Sequence, residues 1–566
     1  MSSLILSAAE RLAAAGASTA GKGAGSAAQP AVPGAVNAAM ALGRDAASAA
    51  VAALTGGFAF GHHDAASGRT VLAVDRFAMR TICYRVQDGR LRFAERADDL
   101  VGPDDPLDPQ ALFDYLYFHC IPSPRTVFKD VLRLPAGHMA WFEHGELTVA
   151  PYWTATFEDQ GRAPVSFDAL RDEFRATLEA AVKRDLDGGV PACFLSGGTD
   201  SSTVAGLIGK AAGQPAHTYS IGFEAQGYDE MAFARIAAKH FGTVHHEYYV
   251  TPDDLVKGIA AVAQSYDQPF GNSSALPAYY CAKVARDNGV TRMLAGDGGD
   301  ELFGGNSRYA KQRVFGWYQG VPGPLRAGLM EPLLERTPLG NLPLLKKGKS
   351  YVEQAKVPMP ERDEMYNLVL RLGLADVLTP EFLSRIDDRA PARLRRQVWD
   401  MAKTGSEVNR TLAFDWRFTL ADSDLPKVRG TTALAGVSVR FPFLADDVLA
   451  FSLKLPAEYK LKGLKLRWFF KEALRGFLPD EIITKKKQGF GLPFGVWANK
   501  HAGLKALALD SLASLSQRGI VRPDFITTLV DKRLPEHPGY YGEMVWILMM
   551  LEQWLRKARP DGRALF

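Results

Sequence analysis

The sequence contains little cysteine and little net charge, and it lacks a long apolar run. Its cysteines are Cys83, Cys120, Cys193 and Cys281. They show no C-x-x-C spacing, which argues against a zinc site or a disulfide framework and favours reduced thiols in a cytoplasmic protein. A net charge of +4 over 566 residues gives no case for a nucleic acid or an anionic membrane as partner. The apolar run at 544–551 is too short to span a bilayer and predicts a buried helix.

The composition is that of an ordinary globular protein, with 47% hydrophobic and 23% charged residues. A chain of this length exceeds what one hydrophobic core usually serves, so we expect two or more domains. Residues 1–53 are dominated by Ala, Gly and Ser and predict a low-complexity segment, with order beginning near Leu54. Because this segment carries no basic stretch before an apolar core, we expect no secretory signal.

Short alternating runs follow between residues 57 and 93, separated by Gly, Asp and Ser. This pattern is typical of β-hairpins. A helix is predicted near 112–119 and a further strand at 139–142. Residues 54–153 therefore read as a β-rich domain that ends near Trp153.

The stretch 190–208 is an apolar segment, a loop of glycines and hydroxyls, and a second apolar segment. It predicts a strand, an anion-binding loop and a helix, because glycines admit an oxyanion closely and a helix N-terminus offers unpaired N–H groups. The Walker loop, its nearest lookalike, needs a lysine that is missing here. Asp200 would repel a phosphate unless a cation intervened, so the loop indicates Mg²⁺ between protein and phosphate.

A second constellation, at 291–305, is a strand that runs into a loop containing Asp297, Asp300 and Glu301. Crowded carboxylates resist ionisation unless a cation lies among them. Together with Asp200 they supply the hard oxygen ligands that Mg²⁺ prefers. For Glu301, a simple helix-capping role remains the alternative.

A third constellation, at 478–493, contains Lys485, Lys486 and Lys487 before a Gly-Phe-Gly turn and a proline. A run of lysines is usually a solvated face, but the turn and the proline restrict this loop. We assign Lys485 and Lys486 to the surface.

A further β-rich run at 216–223 predicts a buried strand that ends in Ser-Ile-Gly-Phe. In order and type, this run and the three constellations resemble the SGGxDS, SIGF, GDGGDELFGG and RPKQGFGVP motifs of the asparagine synthetase family of ATP pyrophosphatases. The resemblance implies an α/β synthetase domain with a parallel-sheet PP-loop fold, like that of the adenine nucleotide α-hydrolases, at residues 154–566. It implies ATP and Mg²⁺ as ligands. It assigns the metal to Asp200 and Asp300, and catalysis to Lys487 beside the α-phosphate and to Asp297 as proton acceptor. The residues implied in binding ATP and pyrophosphate are Ser196, Gly197, Gly198, Asp200, Ser201, Ser202, Ser220, Ile221 and Gly222.

Residues 54–153 resemble the second half of the same family's glutaminase domain, through Phe58-Ala-Phe60, Asp75-Arg-Phe77 and the loop 134–138 before Tyr152-Trp153. The first half is missing, and Ser2 stands where the family has its nucleophilic Cys. The resemblance implies a truncated Ntn-type α+β domain that acts as a structural cap. We expect no glutamine hydrolysis.

Four positions depart from the family pattern: Gln268, Arg429, Ser438 and Ala445 stand where Glu, Asp, Glu and Asp are usual. In the family the last three of these positions belong to the wall of the acceptor pocket, and the first bears on acceptor specificity. The acceptor acid of this chain therefore need not be aspartate.

The leading hypothesis is an amide ligase that adenylates a small-molecule or peptide carboxylate and then transfers it to ammonia, free or delivered by a separate amidotransferase. A rival joins the substrate's own amine, as β-lactam synthetases and lasso-peptide cyclases do. A third reading is a nucleotide-binding scaffold without activity, against which Asp200, Asp300 and Lys487 argue. We expect neither nucleic acid nor membrane as partner, and a homodimer stays open.

Overall fold

The computed structural model describes residues 34–158, 165–225, 227–326, 351–486 and 491–565. Antiparallel sheets form its N-terminal part, and a five-stranded parallel sheet with many helices forms the rest. The strands, numbered along the chain, are β1 (Ala59–Asp64), β2 (Arg69–Val74), β3 (Cys83–Gln87), β4 (Arg90–Ala94), β5 (Leu132–Arg133), β6 (His138–Glu143), β7 (Glu146–Pro151), β8 (Ala192–Phe194), β9 (His217–Phe223), β10 (Val244–Val250), β11 (Arg292–Leu294), β12 (Ser438–Arg440), β13 (Leu461–Lys462) and β14 (Lys465–Leu466).

The α-helices of these ranges are α1 (Gly34–Leu42), α2 (Arg44–Ala52), α3 (Pro109–Phe118), α4 (Phe167–Asp185), α5 (Thr199–Ala212), α6 (Met231–Phe241), α7 (Pro252–Ser265), α8 (Ala275–Asp287), α9 (Gly299–Phe303), α10 (Ser307–Gln319), α11 (Gly323–Leu325), α12 (Leu368–Leu372), α13 (Leu374–Val377), α14 (Pro380–Leu383), α15 (Ala390–Met401), α16 (Glu407–Asp415), α17 (Leu425–Ala435), α18 (Asp446–Lys454), α19 (Ala457–Lys460), α20 (Trp468–Ala473), α21 (Asp480–Thr484), α22 (Phe494–Lys500), α23 (Ala502–Ser516), α24 (Pro523–Thr528), α25 (Leu534–Glu536) and α26 (Pro538–Ala558). Shorter 3₁₀ and π segments are Asp98–Leu100, Glu361–Tyr366, Trp416–Asp424, Pro442–Leu444 and Leu529–Arg533.

The N-terminal part contains the predicted hairpins. Its antiparallel sheets have the strand orders β1-β2-β6-β7 and β4-β3-β5, and Leu72, Tyr84 and Ala140 belong to an apolar cluster between them. The structure adds α1 and α2 before the predicted start of order at residue 54. These two helices bury Val36 and Val51 against the first sheet, which explains why an Ala-rich segment is ordered there.

The buried turn after β2 is organised by Asp75, which is 1% exposed. Its carboxylate accepts hydrogen bonds from the backbone N–H groups of Phe58, Phe77, Met79 and Arg80. Burial raises the pKa of Asp75 to about 6, although these four donors favour its charged form.

The parallel sheet has the strand order β10-β9-β8-β11-β12. The chain moves outward from β8 to β9 and β10, then returns to place β11 on the other side of β8. In open α/β sheets, ligands bind at the carboxyl ends of the strands where the strand order reverses. The reversal here lies between β8 and β11, which are the strands preceding the first two constellations.

The C-terminal helices form a large hydrophobic core. Within it, α26 is buried from Met544 to Leu555, which includes the run 544–551 that was predicted to be a buried helix. The N-terminal part packs into this core through α3, where the Tyr115 hydroxyl donates to the carbonyl of Ile547 at 2.8 Å. Within the described ranges, no helix is long and apolar enough to cross a membrane.

Buried polar contacts also join the two parts. Asp267 of the synthetase part lies 2.7 Å from the Arg133 guanidinium and accepts from the N–H of Ala97. Burial alone would raise the pKa of Asp267, but Arg133 and Arg96 outweigh burial and set it at about 2. Nearby, the Ser123 hydroxyl donates to Asp422 at 2.9 Å. These contacts fix the N-terminal part against the synthetase part.

Candidate active site

The loop after β8 is stabilised by hydrogen bonds that its own hydroxyl groups make within the loop. The N–H of Ser196 donates to the Ser201 hydroxyl at 3.1 Å, and the two hydroxyls lie 3.1 Å apart. The N–H of Gly198 donates to the Ser196 hydroxyl at 3.4 Å, just before α5 begins at Thr199. The sequence therefore forms the predicted strand, loop and helix, with the helix N-terminus at the end of a central strand.

Gly197 is required by this geometry. Its φ is 68°, and a Cβ there would collide with the backbone of α6 at Ala234. Left-handed backbone and close packing together leave room only for glycine.

The loop after β11 meets the loop after β8 across the sheet edge. Asp297 follows the strand, and Asp300 lies in the first turn of α9. Gly299 lies so close to Asp200 that a Cβ there would collide with the Asp200 carboxylate. The structure thus brings Asp200 and Asp300 together, as the motifs predicted.

A guanidinium lies between these two carboxylates. Arg467 Nη1 is 2.6 Å from Asp200 Oδ2 and 2.8 Å from Asp300 Oδ1, and Arg467 Nη2 bonds the other Asp200 oxygen. Arg467 is 4% exposed and lies over the Phe470 ring, 3.9 Å from its centroid. Burial alone would lower its pKa, but Asp200 and Asp300 raise it above the ordinary value.

Sequence reasoning missed Arg467. It lies 267 residues from Asp200, and nothing in the run Lys465-Leu466-Arg467 distinguishes it from a surface arginine. Its backbone has φ 54°, an uncommon conformation for a residue with a side chain, and this becomes visible only in the structure.

The two carboxylates have the donor chemistry that Mg²⁺ needs. Asp200 Oδ2 and Asp300 Oδ1 share one nitrogen of Arg467, so anionic oxygens of both loops already surround one cationic group. In nucleotide sites Mg²⁺ takes one or two carboxylates and completes its shell with phosphate oxygens and water. No cluster of three or more His, Cys, Asp or Glu suited to a metal occurs in the described part of the chain.

Asp200 and Asp300 line a cavity of about 260 Å³ at the carboxyl ends of β8, β9 and β11. Of the predicted site residues, the following line it: Ser196, Asp200, Ser201, Ser220, Ile221, Asp297 and Asp300. Near β9 the cavity wall is largely apolar and includes Tyr219, Pro277 and Cys281.

The remaining predicted residues lie beside the cavity or beyond the described residues. Gly197 and Gly198 form the backbone of the loop, and Gly222 packs on the Tyr249 ring. Ser202 is buried on α5, and its hydroxyl has no hydrogen-bond partner among the described residues. Lys487 and Ser2 lie outside the described residues.

The cavity is also lined by Asp297, beside a partly buried ion pair. Lys427 Nζ lies 2.8 Å from Asp424 Oδ1. Burial raises the pKa of Asp297 to about 6, against the opposing effect of Lys427. Burial, with Asp300 and Asp424 nearby, also raises the pKa of Glu301 well above its usual range. A carboxyl with a pKa near 6 can accept a proton from an amine at neutral pH.

The surface assignment of Lys485 was wrong. Its side chain is 8% exposed and lies 3.0 Å from Glu230 Oε1. Lys485 Nζ also donates to the carbonyl of Gly197 at 3.3 Å. Lys486, by contrast, is exposed as expected.

The four departures from the family pattern do not line this cavity. Arg429 donates to the carbonyl of Met79 and to the Thr81 hydroxyl, and Gln268 donates to the carbonyl of Ile121. Both therefore face the N-terminal part. The Ser438 hydroxyl donates to the carbonyl of Thr291, and Ala445 precedes α18. The interpretation of these positions as part of an acceptor wall stays a prediction.

Comparison with known proteins decides the family. The family model for asparagine synthase matches residues 173–556, and the model for a glutamine amidotransferase domain matches residues 36–153. The chain belongs to the asparagine synthetase family.

Relatives within this family are distant but extensive. The chain is 26% identical to glutamine-hydrolyzing asparagine synthetase 1 of Bacillus subtilis (strain 168) over 486 residues, covering 85% of this chain and 74% of the relative. It is 28% identical to the amidase chyE of Penicillium rubens over 537 residues, covering 85% and 76%. Asparagine synthetases use ATP, a carboxylate substrate and an amine or ammonia donor, so membership implies an ATP-dependent ligase that forms C–N bonds.

Proposed function

We propose that this protein is an AMP- and pyrophosphate-forming amide ligase that adenylates a carboxylate and transfers the acyl group to ammonia or an amine. The observation that carries the proposal is the convergence of Asp200, Asp300 and Asp297 on one cavity at the strand-order reversal. In this proposal ATP lies with its phosphates on the Ser196 loop and its base against the apolar wall near β9.

The residues have distinct roles in this proposal. Asp200 and Asp300 would hold Mg²⁺, which when bound neutralises phosphate charge. The substrate carboxylate attacks the α-phosphorus, pyrophosphate leaves, and Lys487 stabilises the negative charge that develops there. Asp297 accepts a proton from the attacking amine, whose nitrogen then displaces AMP from the acyl carbon.

The N-terminal part acts as a structural cap in this proposal and does not hydrolyse glutamine. The cap role is supported by the contacts that join the N-terminal part to the synthetase part, including Arg133 with Asp267 and Arg429 with Met79. The domain boundary that we propose near residue 154 lies between the two matched regions.

The test is release of pyrophosphate and AMP from ATP with candidate substrates. Aspartate with ammonium, aspartate with glutamine, and peptides with both a free amine and a carboxylate are compared. Turnover with ammonium but not glutamine supports an asparagine synthetase-like ligase without glutaminase, and turnover with a peptide alone supports the joining of a substrate's own amine. ATP binding without turnover of any acceptor would favour the scaffold. Asp200→Asn serves as the inactive control.

A further inference from the structure

Lys485 lies beneath the anion-binding loop with a defined set of contacts. Its nitrogen is within 3.3 Å of the Gly197 carbonyl oxygen and 3.0 Å of a Glu230 carboxylate oxygen, and it lies 4.5 Å from the centroid of the Phe233 ring. A lysine that is 8% exposed and paired on two sides is held in one place. Lys485 therefore helps to stabilise the conformation of the loop.

The contact with Gly197 controls which way one peptide group faces. In a trans peptide, the carbonyl oxygen of Gly197 and the N–H of Gly198 point in opposite directions. With Lys485 on the oxygen, the N–H is directed to the other side, where it donates to the Ser196 hydroxyl beside the cavity. Because glycine flanks this peptide on both sides, rotation about it has little steric opposition.

A reversed peptide would turn a carbonyl oxygen, in place of an N–H, toward the Ser196 hydroxyl that lines the cavity. A carbonyl oxygen repels a phosphate, whereas N–H groups bind it. The glycine-rich loop sequence permits both orientations of this peptide. A cation on the carbonyl side favours the orientation seen in the structure.

We propose that Lys485 is a positioning residue, paired with Glu230, that fixes the Gly197–Gly198 peptide with its N–H toward the nucleotide phosphates. This inference rests on the proposed function, because it requires phosphates on the Ser196 loop. Lys485 acts through the loop backbone and touches no reacting atom. It differs in this from Lys487, whose proposed role is at the α-phosphate.

The experiment compares binding of inorganic pyrophosphate and of adenosine to the full chain by titration calorimetry in Mg²⁺ buffer. In Lys485→Met we expect pyrophosphate to bind about tenfold more weakly, the effect of losing one charge-assisted hydrogen bond. Adenosine, which has no phosphate, should bind unchanged. Lys485→Arg should restore most of the pyrophosphate affinity, and Lys486→Met, which removes an exposed neighbouring charge, should behave as the wild type.

Each outcome bears on the inference. Pyrophosphate binding by Lys485→Met at wild-type affinity would overturn it, as would equal losses of pyrophosphate and adenosine, which indicate a general structural defect. If Lys485→Met fails to fold, Lys485→Gln, which keeps a side-chain donor without the charge, should weaken pyrophosphate binding selectively, by a smaller factor. A wild-type chain that binds neither ligand would instead refute the proposed function on which the inference rests.

Discussion

We predict that the protein loses stability when the buried arginine between the two carboxylates is replaced. Replacing Arg467 by Met leaves Asp200 and Asp300 facing each other without their guanidinium; the three side chains are 5%, 18% and 16% exposed. Removing one partner of a buried ion pair costs about 3–5 kcal/mol, and we take about 3 because the carboxylates keep some contact with water. With an unfolding entropy of about 2.1 cal/mol/K per residue, this lowers the melting temperature of the synthetase part by about 3.5 °C.

The assay is thermal unfolding of Arg467→Met and wild type, each in EDTA and in MgCl₂. Mg²⁺ should raise the melting temperature of the variant more than that of the wild type, because the variant's two carboxylates have lost the guanidinium that lies between them. Arg467→Lys should be intermediate, since it keeps one charge and loses the planar fork. Lys465→Met removes an exposed charge nearby and controls for net charge. Equal melting of Arg467→Met and wild type in EDTA would refute the reasoning.

Further predictions concern catalysis and the N-terminal part. Lys487→Met should lower pyrophosphate release by at least about 100-fold while ATP still binds, measured by a coupled phosphate assay; near-normal release would remove it from the mechanism. The kcat/KM of the wild type should fall as pH drops below about 6, because protonation of Asp297 removes the proton acceptor, and Asp297→Asn should be slow without this inflection. Asp75→Ala should destabilise the N-terminal part by about 3 kcal/mol in urea unfolding, because two buried and two partly buried N–H groups lose their acceptor; an unchanged midpoint would contradict this. Asp267 has a folded pKa of about 2, below its unfolded value, so its contribution to stability is present above pH 4 and is lost as pH falls toward 2; Asp267→Asn should flatten that part of the pH–stability curve.

Local patterns in the sequence predicted much of the site. The strand, loop and helix around Ser196 depend on glycines, hydroxyls and an apolar run within about twenty residues, and such short-range signals survive in any tertiary context. The meeting of Asp200 with Asp300 followed as well, because parallel strands end at the same edge of a sheet. The predicted start of order at residue 54 did not anticipate α1 and α2, since an Ala-rich segment becomes a stable helix only when a sheet covers its apolar side.

The sequence by itself determined the family's motifs, their order along the chain and the kinds of side chain that they bring to the cavity. The tertiary structure alone decided which cations neutralise those side chains. Arg467 reaches Asp300 across 167 positions, and Lys485 reaches Gly197 across 288. The physical reason is that a charged side chain looks the same in the sequence whether it is solvated or buried. Only the packing of distant elements removes water from one lysine and leaves it around the next.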